Sequence, residues 1–369
     1  MPLQRHYQDL FDTFTNNCTA CGACISGCPI MKHTNLAHTP PKEVAARFLS
    51  FMKGEDKGEQ IKERVLSCME CFKCTTLCPE GINPMAAVEL AKGKLASEGQ
   101  RFPNPETTWN ETLDALKSGV TPDSFHRLTT ATPVKKTKTL FFPGCNVYAH
   151  PEMLLAALDV MKTIAPDAAF LPGLAHCCGD SHLFSGEIQG AAETTQALLD
   201  QISAYQPDTL VLWCPTCHCR FETLHQKAFS LPFEILSLPQ FIVRHMKSFT
   251  LAQQPPHTVT LHEPCKSAYT GVDLTGVREL LAKIPGITLK EMPRHGKEAA
   301  CCGSGAVVFQ EKGFQAVRDE RLVEAKGTGA DTLISVCHFC HTCFKNEAPR
   351  FNIASENYIV TLKRALTTS

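Results

Sequence analysis

Two short stretches, Ala175-His176-Cys177-Cys178-Gly179 and Ala299-Ala300-Cys301-Cys302-Gly303, each place two adjacent cysteines before a glycine. In both cases a single cysteine at the end of an apolar run comes first, and a Cys-x2-Cys motif follows later. Equivalent cysteines of the two sets lie about 120 residues apart throughout, which indicates a duplicated domain. The two sets are Cys145, Cys177, Cys178, Cys214, Cys217 and Cys265, Cys301, Cys302, Cys337, Cys340.

Each copy alternates short apolar runs with segments of helical periodicity. Runs such as Leu140–Phe142 and Leu333–Val336 have the length and apolarity of strands buried in a parallel sheet. Met153–Ala165 has helical spacing, and the copies also match at Phe233–Ser237 and Phe351–Ser355. This alternation is typical of α/β domains, which bind ligands beyond the strand ends. We therefore expect two α/β domains related by pseudo-twofold symmetry, with the cysteines just past the strands.

The first hundred residues carry a different cysteine repeat. The spacing Cys-x2-Cys-x2-Cys-x3-Cys-Pro occurs over residues 18–29 and again over residues 68–79. It is the spacing of bacterial ferredoxins with two [4Fe–4S] clusters, where the fourth cysteine of each motif ligates the other cluster. A zinc ion needs only four thiolates and no such interlocked arrangement. By the ferredoxin rule, one cubane cluster takes Cys18, Cys21, Cys24 and Cys78, and the other takes Cys68, Cys71, Cys74 and Cys28.

Helical patterns surround these two motifs. Lys42–Met52 follows a pair of prolines and has apolar residues at helical spacing, and Pro84–Ala91 is another segment with a proline at its start. The N-terminal domain is therefore predicted to be helical, unlike a β-rich ferredoxin. The predicted organisation is a helical two-cluster domain over residues 1–100, a linker over 101–135, and α/β domains over 136–250 and 251–369.

Composition restricts what the cysteines do. The chain has 369 residues, 20 of them Cys, with 36 Lys plus Arg against 37 Asp plus Glu. A net charge of −1 provides no electrostatic surface for nucleic acid, so no such partner is expected. The N-terminus has no signal-peptide pattern, and no apolar run reaches membrane-spanning length. We therefore expect a cytoplasmic protein with reduced thiols, which leaves metal binding or catalysis as the use of its cysteines.

The adjacent cysteine pairs indicate a large metal centre. Two neighbouring side chains on one turn do not both fit one small ion, but they can bind neighbouring irons of a cluster. Each set has five thiols, one more than a cubane [4Fe–4S] cluster needs. The residues therefore favour an iron–sulfur cluster, with a zinc site and a dithiol redox site as alternatives.

The whole arrangement resembles the D-type subunit of heterodisulfide reductase, in which two ferredoxin-type motifs precede two cysteine-rich CCG domains. It is similar also to the iron–sulfur subunits of glycolate, lactate and anaerobic glycerol-3-phosphate dehydrogenases. The resemblance implies two non-cubane [4Fe–4S] clusters, one for each five-cysteine set, at which a disulfide is cleaved. It also implies a flavin- or haem-bearing redox subunit as partner, with a membrane cytochrome b at the inner membrane face as one form of it.

Two functions from different classes follow. The first is an oxidoreductase subunit that relays electrons through two cubane clusters to the non-cubane clusters, where a small disulfide is reduced or thiols are oxidised. The second is a non-catalytic electron-transfer subunit of a flavin-dependent glycolate, lactate or glycerol-3-phosphate dehydrogenase. A zinc-binding interaction protein is a third hypothesis, which iron and sulfide analysis separates from the other two.

Several residues next to the cysteine sets have open roles. His218 and His341 each follow a Cys-x2-Cys motif, and we predict them to donate a proton to a departing thiolate or to hydrogen-bond a cluster sulfur. His176, His262 and His338 also flank expected ligands. Cys219 and Cys343 are left over from the two sets and are either structural thiols or additional ligands.

Overall fold

The computed structural model describes residues 1–56, 58–59 and 61–366. Its N-terminal domain is helical, as predicted. The segments with proline at the start form α3 and α6, and Asn83 caps α6 by accepting from the backbone N–H groups of Met85 and Ala86. The helices are α1 (Pro2–Asn17), α2 (Ala23–Ser26), α3 (Pro41–Lys53), α4 (Lys62–Leu66), α5 (Lys73–Thr76) and α6 (Pro84–Ser97).

The segment predicted as a linker is mostly helical. It contains α7 (Pro105–Gly119) and α8 (Pro122–Thr129), each with a proline at its first position. Leu116 and Leu128 are buried in the apolar core that the α/β domains share. The prolines that suggested a linker instead start two helices that are part of the packed structure.

The first α/β domain contains a four-stranded parallel sheet in the order β2-β1-β3-β4. Because the strands are parallel, their carboxyl ends lie at the same edge. A π-helical turn at Phe221–His225 joins two of its helices. The elements are β1 (Thr139–Phe142), α9 (Pro151–Ile164), β2 (Ala169–Phe170), α10 (Asp180–Phe184), α11 (Ile188–Ala204), β3 (Thr209–Leu212), α12 (Pro215–Arg220), α13 (Gln226–Ala228), β4 (Glu234–Ser237) and α14 (Leu238–Arg244).

The second α/β domain repeats this topology. Its parallel sheet has the order β6-β5-β7-β8, in which β5 to β8 take the places of β1 to β4 in the first sheet. The prediction of two α/β domains is therefore confirmed. The elements are β5 (His257–His262), α15 (Cys265–Thr270), α16 (Gly276–Lys283), β6 (Ile287–Leu289), α17 (Glu311–Gly327), β7 (Thr332–Ser335), α18 (His338–Lys345), β8 (Ala354–Asn357) and α19 (Tyr358–Ala365).

The sheet register corrects one detail of the predicted repeat. Ser237 pairs with Leu212, and Asn357 pairs with Ser335 at the equivalent place in the other sheet. Ser237 therefore corresponds to Asn357, and the predicted match of Phe233–Ser237 with Phe351–Ser355 is wrong by two residues. A shift of two residues keeps every side chain on the same face of the strand, so the apolar pattern could not detect it.

The two α/β domains contact each other reciprocally. α9 of the first packs on α19 of the second, while α14 of the first packs on α16 of the second. Their side chains form one apolar core, to which both domains contribute fully buried residues such as Leu154 and Ile359. Within the described part of the chain, we find no helix with the length and apolarity required to cross a bilayer.

Candidate metal centres

The four thiols expected for the first cubane cluster line one cavity, beside Phe14 and Phe48. Cys21 is exposed, and the other three are partly buried. The loop reaches this shape through left-handed residues, with Ala20 at φ 52° and Gly22 at φ 83°. A Cβ at Gly22 would lie 2.7 Å from the backbone of α3, so glycine is required there. The thiols are Cys18, Cys21, Cys24 and Cys78.

The second ferredoxin motif has the same backbone path. Glu70 and Phe72 have φ of 51° and 69° at the positions of Ala20 and Gly22, although neither is glycine. Left-handed backbone is costly for such residues and is typical of functional loops. The four thiols expected for the second cubane cluster also line one cavity: Cys28, Cys68, Cys71 and Cys74.

A buried arginine tests whether a cluster fits here. Arg64 lines the second cavity and is 1% exposed, yet its Nε and Nη1 have no hydrogen-bond partner. Burial would lower the pKa of Arg64, but the nearby Cys28 and Cys68 thiolates raise it above its ordinary value. A buried, unsatisfied cation calls for an anionic acceptor. A [4Fe–4S] cluster on four thiolates supplies one, so the residues present fit this group.

The first five-cysteine set converges at the carboxyl edge of the first sheet. All five thiols are buried, and Sγ of Cys145 lies 3.8 Å from Sγ of Cys177. Gly144 has φ 87°, and a Cβ there would lie 2.8 Å from Cβ of Cys214 and 3.2 Å from Sγ of Cys217. The backbone can approach the thiols this closely because residue 144 is glycine and has no Cβ.

The second set converges in the second domain and includes more groups. Sγ of Cys340 lies 3.3 Å from Sγ of Cys302. Hydrogen bonds from the thiols of Cys301, Cys340 and Cys343 hold the pKa of Cys302 well below its ordinary value. Cys343 thus lies beside Cys302, whereas the charged groups near Cys219 are Lys266, Arg220 and Asp180. A ring nitrogen of His262 and the sulfurs of Cys302 and Cys340 all lie within 4.8 Å of one another.

The second ferredoxin motif abuts the second five-cysteine set. Burial and the nearby Cys265 and Cys28 thiols raise the pKa of Cys71 well above its ordinary value. Tyr269 lies between the two sites, and its hydroxyl donates to the carbonyl of Ala299 at 2.5 Å. Helix α5, which carries part of the ferredoxin motif, contacts α15, which begins at Cys265. The two types of site are therefore in direct contact through α5 and α15.

His218 and His341 lie where the two α/β domains meet. The ring of His341 contacts that of His150, with centroids 5.4 Å apart. Burial lowers the pKa of both His218 and His341 to about 4. In the described structure, Nδ1 of each ring is buried without a partner, and only the backbone N–H groups of the two residues are bonded to cysteines, donating to the carbonyls of Cys214 and Cys337. Their predicted role at the clusters stays a prediction; the histidine at the thiols is His262, which ends β5 three residues before Cys265.

Buried charges join all three domains next to these sites. Arg220 lies between two carboxylates, with Nη2 2.5 Å from Glu89 and Nε 2.6 Å from Asp180. The hydroxyl of Tyr7 donates to Glu89 at 2.6 Å. The same set includes an ion pair of 2.7 Å between Lys92 and Glu70. We call it the interdomain ion network, and its charged members are Glu70, Glu89, Lys92, Asp180, Arg220 and Lys266.

A groove between the ferredoxin domain and the second α/β domain reaches two of the expected ligands. Cys28 and Cys301 both line it, together with Lys32, Lys73 and Arg294. All five thiols of the first five-cysteine set are buried, whereas Cys265 of the second set is partly exposed. The groove therefore gives the second set a path to solvent at Cys301.

Comparison with known proteins agrees with this architecture. Residues 15–82 match the 4Fe-4S dicluster domain, and residues 139–222 and 259–345 match the cysteine-rich CCG domain. The chain is 24% identical over 382 residues to the D-type subunit of the dihydromethanophenazine:CoB–CoM heterodisulfide reductase of Methanosarcina barkeri, covering 95% of this chain and 93% of that protein. It is 23% identical to a probable glycolate oxidase iron-sulfur subunit of Bacillus subtilis, covering 88% and 87%.

A solved structure shares the fold. The crystal structure of a hypothetical protein from Helicobacter pylori superposes with a TM-score of 0.55 at 12% identity, over 100% of this chain and 76% of that one. The dicluster match and the two CCG matches together cover more than half of the described chain. Because both domain types occur in this order, the chain belongs to the heterodisulfide reductase D-type family of iron–sulfur proteins, which includes glycolate oxidase and lactate utilization subunits.

Proposed function

We propose that the chain is the iron–sulfur subunit of a heterodisulfide-reductase-like complex in the cytoplasm. Two cubane [4Fe–4S] clusters would be held by Cys18, Cys21, Cys24, Cys78 and by Cys68, Cys71, Cys74, Cys28. Two non-cubane [4Fe–4S] clusters would be held by the two five-cysteine sets. When bound, the clusters supply one-electron transfer and the site of sulfur chemistry. One disulfide with two electrons and two protons gives two thiols, and the reverse reaction oxidises thiols.

One observation carries this proposal: both five-cysteine sets are complete, and the second of them lies next to a ferredoxin-type site. Both five-cysteine sets are intact, and each brings its thiols together past the strand ends. Tyr269 bridges from the ferredoxin motif at Cys71 to the set that begins at Cys265. The groove at Cys28 and Cys301 supports the second set as the place where a small disulfide approaches.

The reciprocal packing of α9 on α19 and α14 on α16 supports a pseudo-twofold relation between the CCG domains. Electrons would enter at the first ferredoxin site, where Cys21 is exposed and offers the closest approach for a partner. That partner would be a flavin- or haem-bearing subunit, with a membrane cytochrome b at the inner membrane face as one form of it.

The alternative is a non-catalytic electron-transfer subunit of a flavin-dependent glycolate, lactate or glycerol-3-phosphate dehydrogenase. Two observations favour it. The chain is similar along most of its length to a probable glycolate oxidase iron-sulfur subunit. All five thiols of the first set are also buried, as suits a centre that only relays electrons.

Anaerobic preparation of the full chain tests the cluster content. Four clusters predict about 16 iron and as many sulfide per chain, and stoichiometric zinc with little iron would contradict the proposal. Reaction is tested by EPR on the reduced protein with oxidised glutathione and 2-hydroxyethyl disulfide as probes. Disulfide reduction predicts a changed non-cubane signal and two electrons consumed per disulfide. Ordinary cubane signals that do not change would favour the relay function.

A matched pair of variants locates the reaction. Cys301→Ser alters the set that the groove reaches, and Cys177→Ser alters the equivalent position in the first set. We expect Cys301→Ser to abolish the spectral response to disulfide. Cys177→Ser should leave that response in place while it changes the signal of the first centre. The opposite result would assign the reaction to the first CCG centre.

A further inference from the structure

We infer that His262 donates a hydrogen bond from Nε2–H to the sulfur atoms of the second CCG centre at Cys302 and thereby raises its reduction potential above that of the first centre. This inference rests on the proposed cluster ligands but not on disulfide reduction. It assigns different properties to two centres that the cysteine pattern makes equivalent.

Arg321 fixes the tautomer of this histidine. Nε of Arg321 lies 3.1 Å from Nδ1 of His262, and the arginine is fully buried. An arginine has only donors, so Nδ1 must accept and the ring proton of the neutral imidazole stands on Nε2. Arg321 is itself held by Glu324 at 2.8 Å and by the carbonyl of Arg294 at 2.8 Å. The ring is also packed edge-on against Phe344, with centroids 4.8 Å apart.

The remaining nitrogen faces the thiols. Nε2 of His262 is buried and makes no hydrogen bond of ordinary geometry to the described protein, and the group with which the ring interacts there is the sulfur of Cys302. A ring nitrogen of His262 and the sulfurs of Cys302 and Cys340 lie within 4.8 Å of one another. Since Nδ1 is occupied by Arg321, Nε2–H is the donor that needs an acceptor, and the sulfur atoms of a bound cluster provide one.

The first domain has no counterpart to this arrangement. Phe142 pairs with Leu212, and His262 pairs with Ser335 at the same place in the other sheet, so Phe142 stands where His262 does. Helix α11, the counterpart of the helix that carries Arg321, contains no arginine, lysine or histidine. Hydrogen bonds to sulfur stabilise the reduced, more negative cluster, so the second centre should be reduced first.

Redox titration of the anaerobic full chain, followed by EPR, tests this. His262→Phe installs the residue of the first domain and should lower the midpoint potential of the second centre, whose signal is identified by its change in Cys337→Ser. A tenfold less favourable reduction corresponds to about 59 mV for one electron. His262→Gln should restore most of the potential, because its amide can accept from Arg321 and donate to sulfur. Phe142→Leu is the matched control and should leave the second centre unchanged.

The outcomes separate this inference from the proposed function. An unchanged potential in His262→Phe at full iron content overturns the inference and leaves the proposed function standing. Absence of a second non-cubane signal in the unaltered protein overturns both. Should His262→Phe not fold, pulsed EPR on the unaltered protein with 15N-histidine decides. A weak nitrogen coupling to the second centre is expected, whereas no coupling, or the large coupling of a directly bound nitrogen, overturns the inference.

Discussion

At the scale of single residues, the first CCG centre depends on a glycine that is not a ligand. Gly144 has φ 87°, and a Cβ added at this residue would press against Cys214 and Cys217. The left-handed backbone alone costs an alanine about 1–2 kcal/mol. The contact at 2.8 Å from Cβ of Cys214 must in addition displace a proposed ligand. A side chain at residue 144 should therefore disturb the proposed metal centre more than it destabilises the fold.

We predict that Gly144→Ala loses the first CCG cluster, so that iron falls by about four atoms per chain. The control is Gly271→Ala, which has φ 77° but no atom within 4 Å of the added Cβ. It shares the backbone cost without the clash and should keep its full iron content. Iron and sulfide analysis of both variants provides the measurement. Equal iron in the two would show that the Cys214 position tolerates the displacement.

The two extra cysteines form a second contrast between single residues. Cys343 lies against Cys302, whereas Cys219 is fully buried near Lys266 and Arg220 of the interdomain ion network. Counted from the Cys-x2-Cys motifs, Cys219 occupies the position of Thr342, and Cys343 that of Arg220. Neighbouring positions on a helix point about 100° apart, so the two thiols face different surroundings.

We therefore predict that Cys343→Ser changes the EPR signal or midpoint potential of the second CCG centre, because it alters a group next to Cys302. Cys219→Ser should leave the signals of both CCG centres as they are. Redox titration of the two variants under the same anaerobic conditions makes the comparison. A response to Cys219→Ser as large as that to Cys343→Ser would place Cys219 at a cluster.

At the scale of elements, the sequence predicts strongly periodic segments well and short ones poorly. Predicted strands such as Leu333–Val336 and helices such as Met153–Ala165 agree with β7 and α9 within about two residues. The edge strands β2 and β6 escape prediction because they have two and three residues, too few for a visible period. Proline was ambiguous, since Pro105 and Pro122 start helices inside the predicted linker.

The candidate sites were likewise predictable only in part from the sequence. Cysteine spacing, together with the ferredoxin rule, predicts which four thiols share each of the two N-terminal cavities. Spacing could not distinguish His262 from His218 and His341, because all three stand close to expected ligands along the chain. Only the strand end of β5 and the position of Arg321 on α17 bring His262 to Cys302. Local sequence patterns do not predict contacts between segments that are distant along the chain.

At the scale of the whole molecule, the interdomain ion network connects the three domains through buried ion pairs. Arg220 from the first CCG domain meets Glu89 of the ferredoxin domain, and both are almost fully buried. Lys266, next to Cys265 in the second CCG domain, lies 3.5 Å from Asp180. Removing one partner from such a network leaves an uncompensated buried charge, which costs about 3–5 kcal/mol.

We predict that Arg220→Met lowers the midpoint of urea unfolding strongly, because it leaves Glu89 and Asp180 without their common cation. Arg244→Met is the matched control, since Arg244 forms a two-bond pair with Glu234 whose side chains are 51% and 47% exposed. An exposed pair contributes about 0–1 kcal/mol, so the control should unfold almost as the unaltered protein does. Equal effects of the two variants would contradict a stabilising role for the network.

A double variant then separates charge from packing. Glu89→Gln in the Arg220→Met background removes one of the two carboxylates that have lost Arg220, while the amide oxygen still accepts from Tyr7, whose hydroxyl lies 2.6 Å away. Part of the lost stability should therefore return, and the double variant should be more stable than Arg220→Met alone. If the two losses add instead, Arg220 acts through its volume and its contact with Phe72, 5.2 Å from the ring centroid, and not through its charge.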